Sequence, residues 1–179
     1  MKWLLALFAF LALATLGAAQ EKKEPPKPAP KDAPVNADEQ KAFEAFKAGK
    51  FDDAIKSLQA AAKINPTMGL PRVVLSDWFF KAGSGEQARL ALEQAAVENP
   101  NHPHVYLTNA SYALREGRIT DTILNCTAAL VAAQSPGLDS EAKKRYEREA
   151  RLGLVAAYGR RGNQAEVRTH LVALLDADP

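Results

Sequence analysis

Residues 42–66 read A-F-E-A-F-K-A-G-K-F-D-D-A-I-K-S-L-Q-A-A-A-K-I-N-P, and how this stretch is read decides the fold. Ahead of Gly49, the apolar residues Ala42, Phe43, Ala45 and Phe46 make one face of a short helix. Behind it, Ala54, Ile55, Leu58, Ala61, Ala62 and Ile64 recur at helical intervals and make another. Gly49 stands where the first helix must stop, because glycine takes the left-handed conformation of a helix C-terminus without a Cβ clash. Asp52 and Asp53 open the second helix, where negative charge suits the helix dipole. Pro66 closes it and pushes Asn65 out of the helical region.

The same arrangement returns at a fixed distance. Gly49, Gly83 and Gly117 lie 34 residues apart, and Ala54/Ala88, Leu58/Leu92, Ala61/Ala95, Asn65/Asn99 and Pro66/Pro100 keep that spacing. A third copy runs around Gly117, with Tyr106, Ala110, Ala113, Ile123, Cys126, Ala129 and Leu130 at packing positions. A fourth surrounds Gly162, which follows Gly117 by 45 residues, 11 more than the period. Self-similarity at this period predicts a stack of helix pairs in which each unit buries its core against the next. The extra residues predict a longer first helix in the fourth copy, capped by Asp139 or Ser140 and unbroken until Gly159. Its charged face, Lys143 to Arg151, reads as a solvated surface or as a docking arm.

This pattern resembles the tetratricopeptide repeat: a helix pair with small residues at the crossing, a late large residue in the first helix (Phe79, Tyr158), an early alanine in the second (Ala54, Ala88), and a closing proline (Pro66, Pro100, Pro179). Thr122 and Val167 replace the alanine in the last two copies, and Gln134 replaces the third proline. The family's tryptophan is lacking, with Tyr106 in its place in the third copy. The resemblance covers residues 36–179 and implies an all-α fold, a right-handed superhelical stack of about four helix-turn-helix repeats, in four antiparallel pairs.

A chain of 179 residues has room for one such domain, residues 36–179, and what precedes it is different material. Residues 1–19 have a basic start at Lys2, a short apolar run and a small-residue site at Gly17-Ala18-Ala19, the pattern of a cleaved secretory signal. The apolar run falls short of the roughly 18 residues a spanning helix needs. Export to the periplasm or the medium, as in an exported bacterial protein, is therefore expected, with no stable membrane insertion after cleavage. Residues 20–35 hold Pro25, Pro26, Pro28, Pro30 and Pro34 among lysines. They favour polyproline II and read as a disordered linker: a spacer, a ligand for a proline-binding module or a basic contact with anionic surfaces.

Charge and motif narrow the function. Setting aside Lys2 and the four linker lysines leaves 18 basic side chains; setting aside Glu21, Glu24 and Asp32 leaves 18 acidic ones. A neutral repeat body argues against nucleic acid, whose binding rests on phosphate neutralisation. Cys126 is the only cysteine and occupies the place of Leu58, Leu92 and Leu171, so it reads as a core thiol with no internal disulfide. His102 and His104 flank Pro103 without a carboxylate or cysteine at ligand spacing. They read as the start of a helix, with Asn101 or His102 as cap, rather than as a metal site. No nucleophile elbow, zinc-protease helix, phosphate loop or dinucleotide fingerprint occurs. The reading is non-catalytic, with no cofactor and no metal. The sequons at Asn109 and Asn125 fall inside helices and read as chance.

The resemblance also implies where a partner sits, because in this family the first helix of each pair lines the concave face. By position that groove offers Phe43, Phe46, Val73, Asp77 and Phe80, then Leu107, Ser111 and Leu114. Two residues before each turn glycine stands a base: Lys47, Lys81, Arg115 and Arg160. This basic ladder beside an apolar trough suits a protein or peptide with hydrophobic anchors and acidic groups. Equally, a base there simply solvates a helix end. The family's carboxylate clamp is not matched, since its places hold Glu39, Phe43, Val74, His104 and Thr108. The expected function is a scaffold or adaptor binding a protein or peptide partner in the cell envelope. The alternative is a self-association module, forming a homodimer through an uncapped C-terminal end where Val167, Leu171, Leu174 and Leu175 recur at core spacing.

Overall fold

The computed structural model describes residues 37–177. The signal-like segment, the proline-rich linker and the closing Pro179 lie outside these residues. Eight α-helices follow one another: α1 Ala37–Lys47, α2 Phe51–Ile64, α3 Pro71–Lys81, α4 Gly85–Glu98, α5 Pro103–Arg115, α6 Ile119–Ala132, α7 Ser140–Arg160 and α8 Gln164–Ala177. A 3₁₀ turn, Pro66–Met68, joins the first two pairs. The described residues contain no strand. The fold is all-α.

The period is a repeated turn. Gly49, Gly83, Gly117 and Gly162 have φ of 74°, 80°, 76° and 73°. After each, the next N–H reaches back to a carbonyl five residues earlier: Lys50 to Ala45 at 2.9 Å, Ser84 to Phe79 at 2.8 Å, Arg118 to Ala113 at 2.8 Å and Asn163 to Tyr158 at 3.0 Å. This is the Schellman closure, which satisfies carbonyls left over at a helix end and requires a left-handed residue. Between pairs, Asn65 and Asn99 leave the helical region at φ −123° and −134°. The Asn65 side chain accepts from the Thr67 N–H at 3.2 Å.

Helices pack within each pair, and each second helix packs against the next first helix: α2 on α3, α4 on α5, α6 on α7. The first helices α3, α5 and α7 also touch in series. Small side chains allow the close crossings. Ala42, Ala54, Ala61, Ala88, Ala95, Ala113, Ala129, Ala150 and Ala157 have no exposed surface, and Leu58, Leu92, Leu154 and Phe79 fill the space between them. Cys126 is buried as expected, and burial together with Glu149 raises its thiol to about 11. A Cβ built on Gly153 of α7 would stand 2.5 Å from the Cys126 sulfur, so glycine sets how closely α7 approaches α6.

The long helix forms as read. α7 has 21 residues against 13 in α5, and Asp139 caps it by accepting from the Ala142 N–H at 2.7 Å. The last helix departs from the expectation. No residue of α8 is buried; Leu171 is 43 % exposed and Leu175 70 %. Leu171 is therefore not the core counterpart of Leu58 and Leu92. Those two are covered by the following pair, whereas α8 packs on α7 and no further pair lies over it among the described residues.

Candidate partner-binding surface

The first helices present a row of rings and bases. In α1, Lys47 stands 2.7 Å from Glu44, and its Nζ lies 5.2 Å from the centre of the Phe43 ring. In α3, Lys81 meets Asp77 at 2.9 Å. In α5, the Arg115 guanidinium lies 5.2 Å over the Phe80 ring. In α7, Arg160 donates to the Leu114 carbonyl at 2.6 Å, tying the fourth pair to the end of α5. Lys47 and Arg115 thus lie over rings, Lys81 is paired with Asp77, and Arg160 satisfies a carbonyl at the end of the neighbouring first helix.

The rings belong to the packing as much as to the surface. Phe43 and Phe46 meet Trp78 at 5.3 and 5.5 Å, and Phe80 stacks on Tyr112 at 4.2 Å with 7° between planes. The Tyr112 hydroxyl lies 2.8 Å from Ser76 Oγ, which donates to the Ala88 carbonyl at 2.7 Å. Burial pushes the Tyr112 phenol up to about 12, so it stays neutral. The sequence reading passed over Trp78 and Tyr112. The signal was present: Phe46–Trp78 and Phe80–Tyr112 are both 32 apart, and the two pairs are offset by the 34-residue period.

Three expected groove residues are corrected. Phe46, Val73 and Leu107 are buried, Val73 at 2 % exposure, and serve as floor and core rather than contact surface. The reason is that α3 and α5 are flanked by their own partner helix and by helices of adjacent pairs, so their inward side is wide. Phe43, Asp77, Phe80, Lys81 and Leu114 are half-buried, and Lys47, Ser111, Arg115 and Arg160 are exposed.

The histidines form a joint between the second and third pairs. His102 caps α5, its Nδ1 accepting from the His104 N–H at 3.2 Å. His104 Nδ1 accepts from the Leu70 N–H at 3.3 Å. A Cβ on Gly69, at φ 88°, would stand 2.4 Å from the His104 ring. Tyr146 closes the cluster, 5.7 Å from the His102 ring and 6.1 Å from that of His104. Burial, then His102 and Arg145, lower His104 to about 4, against a small upward pull from Asp77. Among the described residues no group of three or more His, Cys, Asp or Glu side chains is placed to hold a metal ion.

Residues 45–111 match the family model described as tetratricopeptide repeat. Over these residues the chain is similar to tetratricopeptide repeats. The matched residues run from the end of α1 into α5, and the turn geometry extends the pattern to Gly162. A search of curated proteins finds no match to the chain. Tetratricopeptide repeats are protein-interaction scaffolds and generally non-catalytic. No helix among the described residues is long and apolar enough to cross a membrane.

Proposed function

We propose that this tetratricopeptide-repeat protein is a non-catalytic scaffold that holds a protein or peptide partner along its first-helix face, in the cell envelope. The observation that carries the reading is the set of bases along half-buried rings: Lys47 lies over Phe43, Arg115 lies over Phe80, and Lys81 is paired with Asp77 on the same helix as Phe80. Such a face anchors apolar side chains of an extended or helical peptide and pairs with its acidic groups. The bases contribute little to the fold, because exposed ion pairs are worth about 0.2–1 kcal/mol.

Replacing Lys81 and Arg115 with Glu is therefore expected to weaken capture of the native partner from envelope extract while leaving the melting temperature nearly unchanged. Phe80→Ala is expected to weaken capture as well. If all three changes leave capture intact, the partner binds elsewhere. The envelope location rests on the signal-like start, and N-terminal sequencing of the mature protein is expected to begin at Gln20. A cytosolic product retaining Met1 ends that part of the reading.

The second reading, self-association through the end of the stack, is favoured by the exposed Leu171 and Val172 of α8, which lie outside the cationic cleft described below. An isologous dimer would join two such ends about a twofold axis. Mass in solution separates the two readings.

A further inference from the structure

The last pair ends in a seat for a helix. Leu152, Leu174 and Leu175 stand 45 residues after Leu107, Ala129 and Leu130, the same offset that relates Gly162 to Gly117. In the third pair, Leu107, Ala129 and Leu130 pack against Tyr146 and Ala150 of α7. One pair earlier, Val73 and Ala95 hold the equivalent places of Leu107 and Ala129 and share a cluster with Val105 of α5. At each step these positions receive the first helix of the next pair. On α7 and α8 they instead line an open cleft of about 620 Å³.

The cleft differs from the inner seats in its charge. Lys144, Arg145, Arg148 and Arg151 line it, at helical spacing along one side of α7. Two acids share the lining. Glu147 accepts from the Gln134 side chain, which turns it toward the end of α6, and Glu141 lies 3.6 Å from Lys144. The lining from Glu141 to Leu152 runs along about 16 Å of helix, room for three turns of an occupant.

We propose that this cleft docks an amphipathic α-helix of a partner protein, apolar on one face and acidic on its flanks. The apolar face takes the place that Tyr146 and Ala150 take one pair earlier, and the acidic flank meets the four cations. The proline-rich residues 20–35 do not suit the cleft, since Pro25, Pro26, Pro28, Pro30 and Pro34 forbid a helix and the segment has more lysines than acids. A second copy docked isologously brings the four cations against their own kind, which disfavours that pairing. This surface is separate from the first-helix face, so either proposal stands or falls without the other.

The test uses two labelled synthetic helical peptides with the same Leu/Ala stripe, one flanked by Glu and one by Lys, titrated with the intact protein by fluorescence anisotropy. The Glu peptide is expected to bind at least about tenfold more tightly, with the difference shrinking as salt rises. The double variant Lys144→Glu/Arg148→Glu, whose sites are on the surface, is expected to reverse the preference. Leu175→Ser is expected to weaken both peptides, and Lys81→Glu/Arg115→Glu to change neither. Equal affinities, no binding of either peptide, or a preference abolished by the Lys81 and Arg115 changes overturns the proposal. So does a dimer in light scattering that excludes the peptide and dissociates on Leu175→Ser. Unchanged circular dichroism of each variant separates a lost site from a lost fold.

Discussion

Leu92→Ala is expected to lower the unfolding free energy by about 2–5 kcal/mol, the range for emptying a well-packed leucine site. Leu92 is 2 % exposed and belongs to the cluster that includes Val73, Leu75, Val105 and Tyr112. It therefore bridges the second pair to the first helix of the third. In a stack held by nearest-neighbour contacts, a cavity at such a place weakens the joint as well as the pair that contains it. Leu90, two residues away on the same helix, is 54 % exposed, and Leu90→Ala is expected to stay within about 0.5 kcal/mol. Urea denaturation of the two variants decides the point. Equal costs for both would contradict the packing described for α4.

Leu92 was legible as core before any coordinates, because it repeats Leu58 at the period, but the exposure of Leu90 was not, since Leu124 repeats it at the same distance. The same logic made the glycine turns, the Asn65 and Asn99 exits and the length of α7 legible: each is dictated by backbone chemistry local to a few residues. The side of a helix that faces inward was less legible. Second helices such as α2 are apolar on one stripe, whereas α3 and α5 are packed by their own partner and by adjacent pairs. Their apolar residues run most of the way round, and nothing in the sequence marks Val73 and Leu107 as core rather than groove. Contacts between distant residues were not legible at all. Arg160 donates to a carbonyl 46 residues away, and Gly153 is needed by a sulfur on the neighbouring helix. Nor does periodicity say whether the last copy is covered. Leu171, Leu174 and Leu175 keep core spacing in α8 because the sequence repeats, and among the described residues no further pair covers them.

Lowering the pH from about 6.5 to 4 is expected to destabilise the stack through His104. In the folded protein this imidazole takes up a proton only near pH 4, because it is buried and because His102 and Arg145 stand close; Asp77 offsets this only slightly. In the unfolded chain it is protonated from about 6.5 downward. Below 6.5 the unfolded state binds the proton first, so stability that is complete above 6.5 drains away until the folded group titrates as well. The gap between 6.5 and about 4 corresponds to about 3 kcal/mol. His102, also lowered by burial and by Arg145, acts in the same direction. The structural consequence is specific. Nδ1 of His104 is the acceptor for the Leu70 N–H, so a proton there removes the bond between the second and third pairs and places a cation beside Arg145. His104→Asn retains an acceptor without the titration. Its stability is expected to fall less than that of the natural protein over this interval, by about 3 kcal/mol, when both are followed by chemical denaturation at each pH. Identical pH profiles for the two proteins, or a His104 resonance titrating near 6.5 in the folded state, would show that the imidazole is not held neutral by its burial at this joint.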